Sequence, residues 1–326
     1  MPLTEFSLID RFFAAPAARR GDIAVGIGDD AAVVDVPAGQ QLVVATDTLV
    51  AGVHFPETAT AADIGHKALA VNLSDLAAMG ARPAWATLAL TLPDADAAWL
   101  EAFARGFFAL AERTGVALIG GDTTRGPLTV TVQILGLVPT GAALLRSGAR
   151  PGDRIYVSGS LGDAALALQW LSGAVIVGGN ARTHLEARLH RPEPRLALGA
   201  RLREVASAAI DVSDGLLADL GHLLDASGFG ATLWVDRLPR SDAFRTVVAG
   251  PQAPAWYELP LAGGDDYELC FSAAPEHVAA LEMLADELGI ALTPIGEIDA
   301  EPGLRCRRDD GSDYAPARRG YEHFTG

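Results

Sequence analysis

Apolar positions in this chain fall into short dense runs, separated by longer stretches in which they recur every three or four residues. The runs at residues 42–45, 85–92, 116–119, 128–138, 154–158, 208–210 and 267–273 read as strands. The stretches at 63–79, 94–114, 163–171, 216–226 and 275–288 read as helices. Asp63 is placed to cap the first helix, and Gly80 and Gly115 to stop the first and second. Strand and helix alternate, which predicts an α/β (α+β) fold. Residues 139–153 hold three glycines and two prolines and make the best boundary, giving domains over 1–140 and 150–326. Residues 172–194, punctuated by Gly178-Gly179-Asn180, read as a surface excursion.

Composition narrows the function classes. A length of 326 residues suits two packed units of roughly 150 residues each, and a hydrophobic share of 50% is ample for two cores. No apolar run approaches the roughly 18 residues of a membrane span, and Glu5 and Asp10 stand where a secretory signal carries basic residues, so the expected location is the cytoplasm. Cys270 and Cys306 are too few for a disulfide framework or a cysteine zinc site and are expected to be reduced and structural. A net charge of -16 argues against nucleic acid and anionic membranes as partners. Lys67 is the only lysine; with His66 before it, there is no P-loop and no protein-kinase lysine strand. A Gly-x-Gly-x-x-Gly fingerprint is also missing, because Gly26-Ile27-Gly28 runs into Asp29-Asp30-Ala31.

What stands out instead is acid placed among small residues: Gly28-Asp29-Asp30, Thr46-Asp47-Thr48, Gly120-Gly121-Asp122, Asp211-Val212-Ser213-Asp214-Gly215 and Gly263-Gly264-Asp265-Asp266. Small neighbours let backbone approach a phosphate, and short carboxylates are the oxygen ligands that Mg²⁺ prefers. Asp47, Asp122 and Asp211 are each expected just past the end of a short strand, where ligands gather in α/β folds. Asp75 lies inside a helix at the eighth position from Lys67 on one face, either held by that lysine or aimed into a site. Asp214-Gly215 is either a helix cap or part of a site, and Gly159-Ser160-Leu161-Gly162-Asp163 either cradles an anion or turns the chain. Asp309-Asp310-Gly311-Ser312-Asp313 lacks calcium-loop spacing and reads as a hairpin turn.

Nine segments occurring in order along nearly the whole chain carry a resemblance. They are residues 5–9, 26–31, 46–55, 67–80, 120–126, 146–153, 211–216, 263–269 and 320–324, and together they resemble the thiamine-monophosphate kinase family. The resemblance implies a two-domain aminoimidazole-ribonucleotide-synthetase-like fold, whose N-terminal sheet pairs across a homodimer to form a barrel, with a C-terminal α/β domain. It implies ATP-dependent phosphorylation of thiamine monophosphate to thiamine diphosphate. It further implies that Asp29, Asp30, Thr46, Asp47, Asp75, Asp122, Asp211 and Asp214 hold several Mg²⁺ ions, with Asp30, Asp47, Asp75 and Asp122 acting in catalysis through them. Gly121, Asp122, Arg146 and Ser213 are implied for ATP, and His54, Asp265 and Tyr321 for thiamine monophosphate. The family usually has Glu at Asp265 and many members have Trp at Tyr321. Tyr321 is either a platform for a cationic ring, a contact of roughly 0.5 to 2 kcal/mol, or a residue closing its own domain's core.

The chemistry fits independently of the family. An acceptor phosphate monoester has its second pKa near 6 and is already the dianion at neutral pH, so no general base is needed, and no histidine–acid pair stands out. The obstacle is repulsion between phosphates, about 4 kcal/mol per unit pair at 4 Å and an effective dielectric of 20. With one lysine, metal ions are the available cations, and Arg146 in its glycine-flanked turn adds a bidentate donor. The other readings are a different ATP-dependent enzyme of the same superfamily, such as aminoimidazole ribonucleotide synthetase, and a non-catalytic scaffold that binds metal or nucleotide.

Overall fold

The structure is a computed structural model and describes residues 4–17, 20–249 and 256–324. The chain divides into two compact units, one comprising residues 1–76 and 81–143, the other 77–80 and 144–326.

The first unit is built on a four-stranded sheet of β3 (Gln40–Val50), β6 (Thr129–Pro139), β4 (Arg82–Leu92) and β5 (Ala117–Arg125), in that spatial order. β6 runs antiparallel to both its neighbours, while β4 and β5 are parallel and are joined through α3 (Ala97–Thr114) as a βαβ crossover. Asp96 caps α3, accepting the Ala98 and Trp99 N–H groups, and Gly115 stops it in the left-handed conformation as expected. α2 (Ala61–Ala78) lies close against α3, because a Cβ on Gly106 would stand 1.9 Å from the Ala62 carbonyl oxygen. A two-stranded ribbon, β1 (Ile23–Val25) with β2 (Val33–Val34), packs over Trp85, Ala117 and Leu137 of the sheet. α1 (Glu5–Ile9) continues into a wider-wound turn at Asp10–Ala14.

The second unit is built on a seven-stranded sheet. Its spatial order is β13 (Asp313–Tyr314), β12 (Gly303–Arg307), β9 (Gly230–Trp234), β11 (Leu292–Asp299), β7 (Arg154–Ser158), β10 (Glu268–Ala273) and β8 (Ala206–Val212). All neighbours are antiparallel except β12 and β9. One face packs on α7 (Leu216–Ser227) through Ile210, Val212, Leu220 and Leu223. The other packs on α6 (Leu196–Leu202) and α10 (Val278–Leu288) through Ala209, Phe271, Leu198 and Leu281. α4 (Asp163–Leu171), α5 (Gly179–His190) and α8 (Asp242–Val248) form a third apolar cluster, and the short α9 (Glu258–Ala262) leads into Gly263. Cys270 and Cys306 are both buried free thiols, and burial raises the pKa of each, Cys306 to about 11.

Four sequence expectations need correction. Asp47, Asp122 and Asp211 lie inside strands rather than past their ends: backbone ladders continue through polar residues wherever the partner strand continues. α2 begins at Ala61, and Thr60 is its cap: its hydroxyl accepts from the Asp63 N–H and donates to the Asp63 carboxylate. The helix expected over 275–288 starts as a 3-10 turn at Pro275–His277. The stretch 172–194 is no mere surface excursion, because α5 buries Leu185 and Leu189 one turn apart against α4 and α8. Its many charged residues and flanking glycines hide that two-residue stripe. The acidic turn at Asp309–Asp313 does close the β12–β13 hairpin, through Arg308 and Ser312. Among the described residues no helix is long and apolar enough to cross a membrane.

Candidate active site

Within the first unit, the β1–β2 ribbon presents Asp29 and Asp30 in its connecting loop. The Asp30 N–H donates to the Asp29 carboxylate at 2.8 Å, a local turn that short acidic side chains favour. The ribbon is pinned to the sheet by Asp22, which accepts from Arg20 at 2.7 Å and from the Trp85 indole at 3.3 Å; the Arg20 contact holds its carboxyl below the usual range. Next to the loop, β5 carries Gly121 and Asp122. A Cβ on Gly121 would meet the Leu88 carbonyl oxygen at 1.9 Å, so only glycine lets β5 lie this close to β4. Asp29, Asp30, Gly121 and Asp122 line one cleft of about 810 Å³, with Phe6, Ile9, Phe13 and Ile27 also on its walls. An acidic, small-residue side and an apolar side thus share one cavity.

Thr46, Asp47, His54 and Asp75 do not line that cleft. They gather around β3 and α2. Asp47 donates its backbone N–H to the Asn72 side chain at 3.1 Å, and the Asn72 amide donates to the Ala68 carbonyl, so a fully buried amide ties β3 to α2. Asp75 follows Asn72 by three residues, on the same helix face. Thr46 points to the opposite sheet face, where its hydroxyl accepts from Gln133 at 3.4 Å. The Val50 N–H donates to His54 Nδ1 at 3.0 Å, and Lys67 Nζ donates to the His54 carbonyl at 3.1 Å. The one lysine of the chain is only 1% exposed and holds the 50–55 turn from beneath.

Within the second unit, three separate segments converge. The Asp265 N–H donates to the Ser213 carbonyl at 2.8 Å, the Tyr267 N–H to the Val212 carbonyl at 2.8 Å, and the Tyr321 N–H to the Asp214 carbonyl at 2.9 Å. Asp211, Ser213, Asp214, Asp265 and Tyr321 are thereby brought to one place. Asp265 and Tyr267 both have positive φ, 68° and 49°, and the Tyr267 hydroxyl donates to the Asp265 carboxylate at 3.1 Å. Non-glycine residues held this way cost on the order of 1–3 kcal/mol each and are typical of sites. Tyr321 is 47% exposed and so does not close a core. Arg146 is elsewhere: its carbonyl accepts from Ser227 at the far end of α7, a helix roughly 18 Å long by its 12 residues, whereas Ser213 and Asp214 precede its first turn.

The residue that sequence reasoning missed is Asp219. One of its carboxylate oxygens accepts the N–H groups of Ser213, Asp214 and Gly215 at 3.0, 3.1 and 3.1 Å. Asp214 therefore does not cap α7, whose preceding residue, Gly215, makes no side-chain cap bond either. Burial, with the charges of Asp211 and Asp214 behind it, raises the Asp219 pKa to about 7 despite those donors. The only hint in the sequence was an acidic residue in the first turn of a predicted helix, which is also the commonest place for a solvated one.

Gly159-Ser160-Leu161-Gly162-Asp163 resolves toward turning the chain. Its Gly162 N–H is taken by both oxygens of buried Asp266, at 2.9 Å each, so that N–H is turned inward. Burial pushes the Asp266 carboxyl well up, with Arg188 opposing. Asp163 is buried too, which alone would raise its pKa, but hydrogen bonds from His184, Ser241 and Ser160 bring it below the usual range.

Among the described residues, no three acidic, histidine or cysteine side chains form a cage for a metal. The donor chemistry still suits Mg²⁺, which is commonly held by one or two carboxylates with phosphate oxygens completing its shell. The paired carboxylates at 29 and 30 beside 122, and at 211 beside 214, are of that kind.

Known proteins match this chain along nearly its whole length. Residues 28–138 match AIR synthase related protein, N-terminal domain, and residues 150–309 match AIR synthase related protein, C-terminal domain. The thiamine-monophosphate kinase of Salmonella typhimurium is 50% identical over 327 residues, covering 100% of this chain and 99% of that protein. The crystal structure of thiamine-monophosphate kinase from Stenotrophomonas maltophilia K279a is 52% identical with a TM-score of 0.86, covering 96% of this chain and 99% of that one. AaThiL complexed with AMPPCP and TMP is 30% identical with a TM-score of 0.78, covering 99% of each chain.

Proposed function

Because the chain belongs to the thiamine-monophosphate kinase family, with its two-domain AIR-synthase-related fold, we propose that it transfers the terminal phosphoryl group of ATP to the phosphate of thiamine monophosphate, yielding thiamine diphosphate and ADP. The observation that carries this reading is identity of about half the residues over full length with a thiamine-monophosphate kinase. Supporting it, the separated family segments fold into two acidic clusters of the kind described above.

In this reading the N-terminal domain, 1–140, pairs with a second copy and binds nucleotide and metal, and 150–326 forms the second domain. β3 is an edge strand with Leu42 and Val44 exposed, a face that suits covering by another chain in a homodimer. Asp29, Asp30, Thr46, Asp47, Asp75, Asp122, Asp211 and Asp214 hold Mg²⁺; the bound ions offset the repulsion between donor and acceptor phosphates. Gly121 lets nucleotide approach the backbone and Arg146 adds a bidentate phosphate contact. Ser213 contacts ATP through its hydroxyl, because its N–H is already given to Asp219. His54, Asp265 and Tyr321 receive thiamine monophosphate, Asp265 oriented by Tyr267. The acceptor enters as its dianion, so the chain's residues orient it and remove no proton. The protein acts in the cytoplasm.

Incubation of purified protein with ATP, Mg²⁺ and thiamine monophosphate is expected to give thiamine diphosphate and ADP in equal amounts. ATP hydrolysis that ignores thiamine monophosphate, or no turnover, overturns the reading. Tyr321→Ala is expected to raise KM for thiamine monophosphate several-fold with KM for ATP nearly unchanged, through loss of a stacking contact; equal effects on both would return Tyr321 to a structural role.

A further inference from the structure

We propose that Asp219 is a positioning residue that shapes the Asp211–Gly215 turn, acting as an internal anion in the place where the turn would otherwise bind one from solution. The inference rests on the reading above in which Asp211, Ser213 and Asp214 face metal and nucleotide.

Three consecutive backbone N–H groups pointing at one point form an anion nest, the device by which many loops cradle phosphate. Here the nest is filled from within, by one oxygen of a side chain only 4% exposed. Filling it has two effects. The N–H groups of Ser213, Asp214 and Gly215 are fully directed inward, so this turn meets its ligands with side chains. The turn's carbonyls are fixed at the same time, and they receive the other two segments: Ser213 accepts from Asp265, and Asp214 from Tyr321. Gly215 has φ of 120°, and Cβ atoms at Gly264 and Gly320 would stand 2.5 Å from the Ser213 carbonyl oxygen and 2.6 Å from the Ala218 Cβ. The assembly has no slack, and Asp219 holds it from the helix side.

The test is Mn²⁺ binding in the presence of a nonhydrolysable ATP analogue, followed by the electron paramagnetic resonance of free Mn²⁺, on the intact protein and on Asp219→Ala and Asp219→Asn. Alanine empties the nest and is expected to weaken Mn²⁺ binding at least tenfold. Asparagine keeps one acceptor oxygen and is expected to weaken it two- to fivefold. Wild-type affinity in both variants overturns the proposal, as does equal loss in both, which would make Asp219 a direct metal ligand. If Asp219→Ala does not fold, Asp219→Asn decides: a two- to fivefold loss supports positioning and wild-type affinity refutes it. A native protein that binds Mn²⁺ with nucleotide, with the graded losses above, yet makes no thiamine diphosphate would end the kinase reading while leaving this one standing.

Discussion

Asp122→Asn is expected to cut thiamine-monophosphate-dependent turnover at least tenfold at limiting Mg²⁺, with the fold intact. Asparagine has the same shape as aspartate, and Asp122 is exposed on the floor of the cleft it shares with Asp29 and Asp30, so nothing in the core registers the change. What is lost is the negative charge of a hard oxygen ligand of the kind by which Mg²⁺ is held. The same substitution at Asp47 and Asp75 is expected to act in the same direction. The backbone of Asp47 is independently secured by Asn72, so its side chain can be altered without releasing β3 from α2. Steady-state rates measured across a Mg²⁺ titration check this. Raising Mg²⁺ is expected to restore part of the loss, and near-normal rates in all three variants at limiting Mg²⁺ would remove these residues from the metal site.

Glu268→Gln is expected to lower unfolding free energy by about 3 kcal/mol or more, the largest single-residue stability effect in the second unit. Glu268 is fully buried on β10 and is gripped by Arg195 at 2.5 and 2.6 Å, by Arg188 at 3.0 Å and by the Ser158 hydroxyl at 2.6 Å. Arg195 is partly buried, which disfavours its charge, but the Glu268 contacts raise its pKa overall. Glutamine fills the same volume, so no cavity term enters; the loss comes from leaving two largely buried guanidinium groups short of their counter-charge. Arg188 also donates to the carbonyls of Ser160 and Asp266, so the effect should spread to the Gly263–Tyr267 turn and be visible as a raised KM for thiamine monophosphate. Urea unfolding measures the first effect. A loss below roughly 1 kcal/mol would mean that the cluster is solvated in solution and behaves like a surface pair.

The acidic turns were legible in the sequence because glycine and aspartate are constrained at short range. Gly121 is required by a single carbonyl across the strand, and Asp29-Asp30 make their turn by themselves. The helix boundaries at Gly115, Asp163 and Leu171 followed from local rules of the same kind. The ends of β3, β5 and β8 did not, because a ladder is prolonged by its neighbour strand and not by the polarity of its own residues. Arg146 and Ser213 illustrate a second limit: the sequence puts each in a turn, and only the structure shows those turns at opposite ends of α7.

By itself, the sequence determined the alternation of strand and helix, the exclusion of lysine-based phosphate loops and the oxygen-rich chemistry of the site, since each depends on residue identity and near neighbours. Only the tertiary structure decided that Asp219 fills the nest before α7, that Asp266 closes the Gly162 turn, and that residues 213, 265 and 321 meet. Those are hydrogen bonds between groups far apart in the chain or hidden inside a turn. Whether a carboxylate faces water or an amide of its own backbone is settled by which segments burial brings together.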